Sequence, residues 1–291
     1  MDIRAILMGL AFAAMWSSAF TSARMIVADA PPLMALSFRF LLSGLIGIAI
    51  ALMLRQSWRL SPAQWRAIIG FGIAQNALYL GLNFVAMQWI EASLAAIIAA
   101  SMPLIVALLG WVFLRQRVPA LGVAGLIVGM AGVALIMCTR LSGGADPVGV
   151  ALCVAGAVAL AVATLTLRGA TSGGNLLMIV GLQMLVGALI LGLISAGTEA
   201  LVVTWTWSLV AAFAYQILIP GLAATLLWFS LVGRIGAVRA ATFHFLNPFF
   251  GVVIAALLLG EAIRPLDILG VVVAMAGILA VQLSRLKRAK A

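Results

Sequence analysis

Ten apolar stretches, separated by connections too short to fold on their own, leave this chain only one kind of solvent. They run over 3–27, 31–54, 65–88, 92–114, 120–138, 148–167, 175–196, 207–232, 237–259 and 265–284. A helix of about 20 apolar residues crosses the hydrocarbon core of a bilayer, so each stretch has the length of one crossing. Charged residues are 8% of the 291, against about 25% in a soluble domain. The expectation is an all-α integral membrane protein with ten transmembrane helices. Ala28-Asp29-Ala30 has the form of a signal-peptide cleavage site. The stretch before it is longer than a signal-peptide core, however, and Pro31 follows at once, so it reads as a retained helix.

The net charge of +10 is explained by its placement. With the N-terminus cytoplasmic, Arg4, Arg55, Arg59, Arg66, Arg115, Arg117, Arg168, Arg234, Arg239, Arg285, Lys287, Arg288 and Lys290 all fall inside. Only Arg24, Arg140 and Arg264 fall outside, and Arg39 lies within a helix. Positive charge collects on the cytoplasmic side of membrane proteins, which predicts both termini inside an inner (plasma) membrane. Asp29, Glu91, Asp146, Glu199, Glu261 and Asp267 all fall on the opposite face. The basic end of the chain is an anchor near anionic lipid. A nucleic-acid partner is not expected, because basic stripes interleaved with base-stacking aromatics are missing.

The chain also contains itself twice. Shifted by 145 residues without a gap, Pro103 falls on Pro248, Leu114 on Leu259, Gly125 on Gly270 and Met130-Ala131-Gly132 on Met275-Ala276-Gly277. Five crossings per half is odd, so the second half enters the membrane from the other side, giving two five-helix inverted-topology repeats. The expected units are 1–140 and 147–286, with a basic tail at 287–291. Proline in a helix interior frees the carbonyl four residues earlier and bends the axis. In lipid the freed group must be met by protein or by a water-lined cavity. Matched breaks in two inverted halves point to the central site of a transporter. Pro103, Pro248 and Pro220 are therefore the expected hinges.

Candidate site residues follow from polar or aromatic positions at membrane depth. In the first helix Gly9, Ala13, Trp16 and Phe20 share a face. Trp16 lies away from the interfacial belt tryptophan prefers and either lines a pocket or packs between helices. Gly72, Asn76, Tyr79 and Asn83 form a polar stripe on the third helix, and its repeat counterpart carries Thr225 and Trp228. Ser101 and Met102 precede the first matched proline, while His244 and Asn247 precede the second. Thr164 completes the set. His244, the sole histidine, is expected to be a packing residue, and it is also the only group offering proton coupling. Arg39 is expected to clasp carbonyls freed by a helix break, with Gln183 its approximate counterpart. Glycines on the fifth and tenth helices read as packing seams. Cys138 and Cys153 are read as small helical residues, although a disulfide across the loop between them is also open.

No enzyme is expected. A single histidine excludes a two-histidine metal site, no carboxylate pair sits at depth for acid–base work, and no phosphate-binding glycine loop appears. Neither a metal nor a cofactor is implied. An intramembrane enzyme or a structural membrane protein remains the alternative from another class. Met15-Trp16-Ser17-Ser18-Ala19-Phe20, Leu36-Ser37-Phe38-Arg39-Phe40, Met102-Pro103, Asn247-Pro248 and Leu259-Gly260-Glu261 occur in an order that resembles the drug/metabolite transporter superfamily, in its ten-helix branch of two EamA-type units. The resemblance spans nearly the whole chain. It implies a carrier of small metabolites with a cavity formed by helices 1, 3, 4, 6, 8 and 9. The chain departs from the pattern at Arg115-Gln116, where Gly-Glu is usual, at Ala161, where an aromatic is common, and at Met102, where related aromatic amino-acid exporters carry tryptophan.

Polyanionic substrates want arginine and lysine clamps, and cationic drugs want a membrane carboxylate. The candidate cavity offers neither beyond Arg39. Its amides and hydroxyls suit a neutral or zwitterionic solute, amino acids first, with a drug or other metabolite exporter as the alternative. Direction, proton coupling, and monomer against weak oligomer are left open by the sequence.

Overall fold

The computed structural model describes residues 3–115, 118–166 and 175–288. Gln116, Arg117, Arg168 and Lys290, named above, lie outside the described residues. Ten helices among the described residues are long and apolar enough to cross a membrane: α1 Ile3–Asp29, α2 Pro32–Met53, α3 Pro62–Ala86, α4 Ala92–Val112, α5 Ala120–Ser142, α6 Pro147–Leu165, α7 Leu176–Thr198, α8 Trp207–Ile235, α9 Ala241–Leu259 and α10 Pro265–Ser284. A single turn, Ala237–Ala240, leads into α9. The protein is an all-α, multi-pass membrane protein.

Prolines set several of the helix starts. Pro32, Pro62, Pro147 and Pro265 each occupy the first helical position, where the missing N–H has no partner to lose. Ser61 closes a capping box with Gln64 before α3, and the Thr206 hydroxyl accepts from Leu209 N–H at 3.0 Å before α8. Gly260 ends α9 at φ 68°, a left-handed conformation that glycine adopts without steric cost.

The repeat seen in the sequence is a repeat of elements. The 145-residue shift carries Pro62 onto Trp207, Ala92 onto Ala237 and Ala120 onto Pro265, each time one helix start onto another. Packing follows the same pseudo-twofold relation. Helix α2 lies on α7, α5 on α10 and α4 on α9, while α1 against α8 and α9 is mirrored by α6 against α3 and α4. Glycines set the two closest pairs. A Cβ at Gly44 would sit 3.0 Å from the Gly181 carbonyl, and one at Gly277 would overlap the Gly129 backbone. The seam expected between the fifth and tenth helices is thus present, as small residues that let backbones approach.

Two departures from uniform α-helix recur in both halves. Gly72–Leu80 in α3 and Ile217–Ala223 in α8 are π-helical, and their first residues are equivalent under the shift. At the matched prolines the regular α-helical pattern is interrupted while the backbone stays right-handed helical. In α4 one helical segment ends at Ala100 and another begins at Met102. In α9 a 3-10 segment, Ala241–Leu246, gives way to α-helix at Asn247. Pro103 and Pro248 are therefore second residues of fresh helical segments, where proline is tolerated.

The two ends of the bundle are packed differently. Call the end bearing both termini the terminal face and the other the distal face. The largest core cluster, including Phe20, Ile26, Leu36, Phe40, Phe84, Met87, Ile90, Leu94 and Ile97, fills the distal half with apolar side chains. That end is also tied by polar contacts. Arg140, which the sequence assigned to an outside connection, is buried in the last turn of α5 and pairs with Asp267 and Glu91. Glu199 accepts from the N–H groups of Leu33 and Met34, both at 2.9 Å. Glu261 likewise accepts from Ala92 N–H at 2.7 Å and Ser93 N–H at 3.0 Å. Carboxylates at helix N-termini meet orphan donors and the positive end of the helix dipole, and here they also tie distant segments together. Cys138 is exposed, Cys153 is buried, and both are free thiols.

Candidate functional site

A cavity of about 310 Å³ lies in the terminal half, between α1, α3, α4, α6, α7, α8 and α9. Its aromatic wall is built by contacts among three helices. Phe12 stands 4.7 Å from Trp228 and 5.8 Å from Trp16, centroid to centroid. The His244 ring closes the group at 5.2 Å from Trp228 and edge-on to Phe12 at 5.4 Å. Edge-on and offset geometries of this kind are the favoured ones for aromatic pairs. Gly9 lets α9 come this close, since a Cβ there would overlap the Phe243 ring. The Ser17 hydroxyl then donates to the Asn247 carbonyl at 3.2 Å, fastening α1 to the break in α9.

The opposite wall is polar and is held by backbone irregularity. Asn76, in the π-helical part of α3, donates its amide to the Gln183 carbonyl on α7 at 2.8 Å. Gln75, Gln183, Thr164 and Thr225 also line the cavity. The hydroxyls of Thr164 and Thr225 donate to the carbonyls one turn earlier, Leu160 at 2.8 Å and Gly221 at 2.9 Å, which leaves their lone pairs facing outward. Next to Pro103, the Ser101 hydroxyl donates to the Ile98 carbonyl at 2.6 Å. That bond serves the helix break and leaves Ser101 buried behind Met102, which does line the cavity.

A second, smaller cavity of about 40 Å³ lies deeper toward the distal face, lined by Trp16, Arg39, Tyr79, Asn83, Gln216 and Pro220 among others. Trp16 lines both cavities. The structure thus distributes the residues singled out from sequence over two levels. Trp16, Asn76, Met102, Thr164, Thr225, Trp228 and His244 line the larger cavity, and Tyr79, Asn83, Arg39 and Pro220 the smaller. The stripe expected on one face of α3 is divided between the two cavities, since Asn83 lies about 10 Å further along the axis than Asn76. Asn247 is buried behind His244, its amide 3.0 Å from the imidazole Nδ1. The expected carbonyl clasp by Arg39 is absent: its Nε has no hydrogen-bond partner, and its guanidinium lies 5.0 Å from the Phe40 ring.

Sequence reasoning overlooked Phe12, Gln75, Phe229 and Gln216. Phe12 was within reach of the helical pattern, one turn before Trp16 on the same face. Gln216 lies four residues before Pro220 and reads in sequence as an ordinary interior polar residue. No group of three or more His, Cys, Asp or Glu side chains among the described residues is placed to hold a metal ion.

Comparison with known proteins gives this architecture a family. The EamA-like transporter family matches residues 3–138 and again 147–283. The chain is 26% identical over 248 residues to uncharacterized transporter YvbV of Bacillus subtilis (strain 168), covering 85% of this chain and 81% of that protein. It is 27% identical over 284 residues to protein PecM of Dickeya dadantii (strain 3937), covering 93% and 91%. A protein of solved crystal structure superposes with a TM-score of 0.69 over 97% of this chain and 99% of that one, at 19% identity, and so shares the fold. With both halves matched and the two five-helix units packed as an inverted pair, this chain belongs to the EamA-like transporter family.

Proposed function

We propose that the protein exports small neutral or zwitterionic metabolites, amino acids first among them, across the inner (plasma) membrane by alternating access. The observation that carries this reading is the larger cavity itself. It combines an aromatic wall (Phe12, Trp16, Trp228) with amide and hydroxyl groups (Gln75, Asn76, Thr164, Gln183, Thr225) and contains no carboxylate or lysine. Such a lining hydrogen-bonds a polar head and covers an apolar side chain. It has no cluster of cations for a polyanion and no carboxylate for an organic cation. The distal end is cross-tied by ion pairs and helix caps and the cavity lies on the terminal side, which supports loading from the face bearing the termini. The sequence assigns thirteen of the seventeen lysines and arginines to that face, which supports reading it as the cytoplasmic one, the side from which an exporter is loaded.

Two experiments test this. Purified protein in liposomes, offered a panel of amino acids, organic cations and nucleotide sugars with and without a pH gradient, is expected to move uncharged amino acids. Transport of only the cations or the nucleotide sugars would refute the substrate reading, and the gradient arm reports whether protons are coupled. For orientation, a single cysteine at Ser142 in a chain lacking Cys138 and Cys153 is expected to be labelled by an impermeant maleimide on intact cells. Labelling only after permeabilisation would invert the topology.

A further inference from the structure

Three buried side chains around the smaller cavity have hydrogen-bonding atoms without partners, and their chemistry is complementary to one kind of ligand. Arg39 lies seven residues inside the distal end of α2, about 10 Å along its axis, and is 6% exposed. Its Nε is unpartnered. The ion pairs found among the described residues are those of Arg140 with Glu91 and Asp267, so no carboxylate balances Arg39. A deep arginine normally has a partner, because leaving it unpaired at membrane depth is costly. The Phe40 ring 5.0 Å away offsets part of that cost through cation–π attraction but does not occupy the planar fork of donors.

Asn83 and Gln216, each 1% exposed, are the other two. The Asn83 Nδ2 donates to the Tyr79 carbonyl at 2.7 Å, and the Gln216 Nε2 donates to the Ala19 carbonyl at 2.6 Å. These bonds fix both amides, since a flip would set oxygen against oxygen. The oxygens left over, Asn83 Oδ1 and Gln216 Oε1, have no donor. The small cavity is therefore bordered by one guanidinium and two amides whose unpartnered atoms are themselves buried. Its volume of about 40 Å³ holds roughly three water molecules, comparable to the head group of an amino acid. Trp16 also lines the larger aromatic cavity.

We propose that Arg39 binds the carboxylate of the transported solute while Asn83 and Gln216 accept hydrogen bonds from its ammonium group, the side chain lying beyond Trp16 in the larger cavity. This rests on the reading that small metabolites pass through that cavity, and it narrows them to α-amino acids. The guanidinium fork matches a carboxylate bidentately. An ammonium group supplies donors for two fixed carbonyl-type oxygens.

The test uses the full-length protein in detergent and a matched set of probes: L-phenylalanine, phenethylamine without the carboxylate, 3-phenylpropionate without the amine, and L-phenylalaninamide. Ligand-induced shifts in Tm give apparent affinities. L-phenylalanine is expected to bind at least tenfold more tightly than phenethylamine or the amide. Arg39→Gln should abolish that preference, and Arg39→Lys should retain part of it. Asn83→Asp should raise affinity for phenethylamine relative to 3-phenylpropionate. Equal binding of acid and amine by the wild type, or none by either, overturns the assignment, and this comparison stands even if Arg39→Gln does not fold. Separate outcomes identify which reading fails. Tight binding of 3-phenylpropionate but not L-phenylalanine keeps Arg39 as a carboxylate anchor and refutes amino acids. Amino-acid transport in liposomes with an unchanged KM in Arg39→Gln keeps the amino acids and refutes the anchor.

Discussion

Arg140→Gln should destabilise the protein by about 3–5 kcal/mol, the range expected when one partner of a buried ion pair is removed. The Arg140 guanidinium is bound to Asp267 through both oxygens, Nη2 at 2.8 Å from Oδ2 and Nε at 3.2 Å from Oδ1. It also pairs with Glu91 and donates to the Ala262 carbonyl at 3.3 Å. Its side chain is 3% exposed and that of Asp267 is 0%. Glutamine at position 140 would leave the Asp267 carboxylate buried with only the Arg264 N–H at 3.0 Å to hold it. Denaturant or thermal unfolding in detergent measures the loss. Adding Asp267→Asn should recover a substantial part of it, since the unpaired charge then disappears along with its partner. Glu91, whose side chain is 43% exposed, should matter far less, and Glu91→Gln is expected to cost no more than about 1 kcal/mol. An Arg140→Gln protein as stable as wild type would mean that the distal end is not held by this pair.

The second large effect is expected on transport and not on stability. Pro103→Ala and Pro248→Ala should each leave folding intact while lowering the initial rate of transport in liposomes by about tenfold, and the pair should be worse than either. Each proline is the second residue of a fresh helical segment directly beside the cavity. Alanine restores the N–H that proline lacks and favours continuous helix by about 3 kcal/mol in interior positions. A continuous α4 would pull Met102 out of the cavity wall, and a continuous α9 would do the same to His244. Rocking of two inverted repeats around a fixed site needs breaks at this level. Thermal stability in detergent and initial rates for the singles and the pair decide the matter. A well-folded double variant that transports at the wild-type rate would reduce both prolines to packing features.

Residue spacing carried much of the architecture, because a bilayer leaves so few alternatives. With no water in the hydrocarbon core, backbone groups must be satisfied within each segment, so apolar length alone located ten helices. The 145-residue shift related the halves because equivalent helices in an inverted pair face equivalent neighbours. Matching glycines and prolines such as Gly125 with Gly270 and Pro103 with Pro248 reflect that. Aromatic and polar residues at depth also pointed to the right region, since Trp16, Thr225, Trp228 and His244 do converge on one cavity.

What the tertiary structure alone decided is which polar groups meet. The six acidic residues expected on one face looked in sequence like the ordinary counterpart of a charge asymmetry. In the fold, Glu199 and Glu261 hold the N-termini of α2 and α4, helices more than a hundred residues away in sequence, and Asp267 reaches Arg140 on α5. No local pattern encodes such partners. The π-helical segments were equally hidden, because hydrogen-bond register within a helix is chosen by packing and not by composition. Arg39 was legible from sequence as a charge at depth, expected to clasp freed carbonyls. Only the fold shows its Nε left without a partner in a residue that borders the same small cavity as Asn83 and Gln216, because whether a buried charge is paired depends on side chains brought in from α3 and α8.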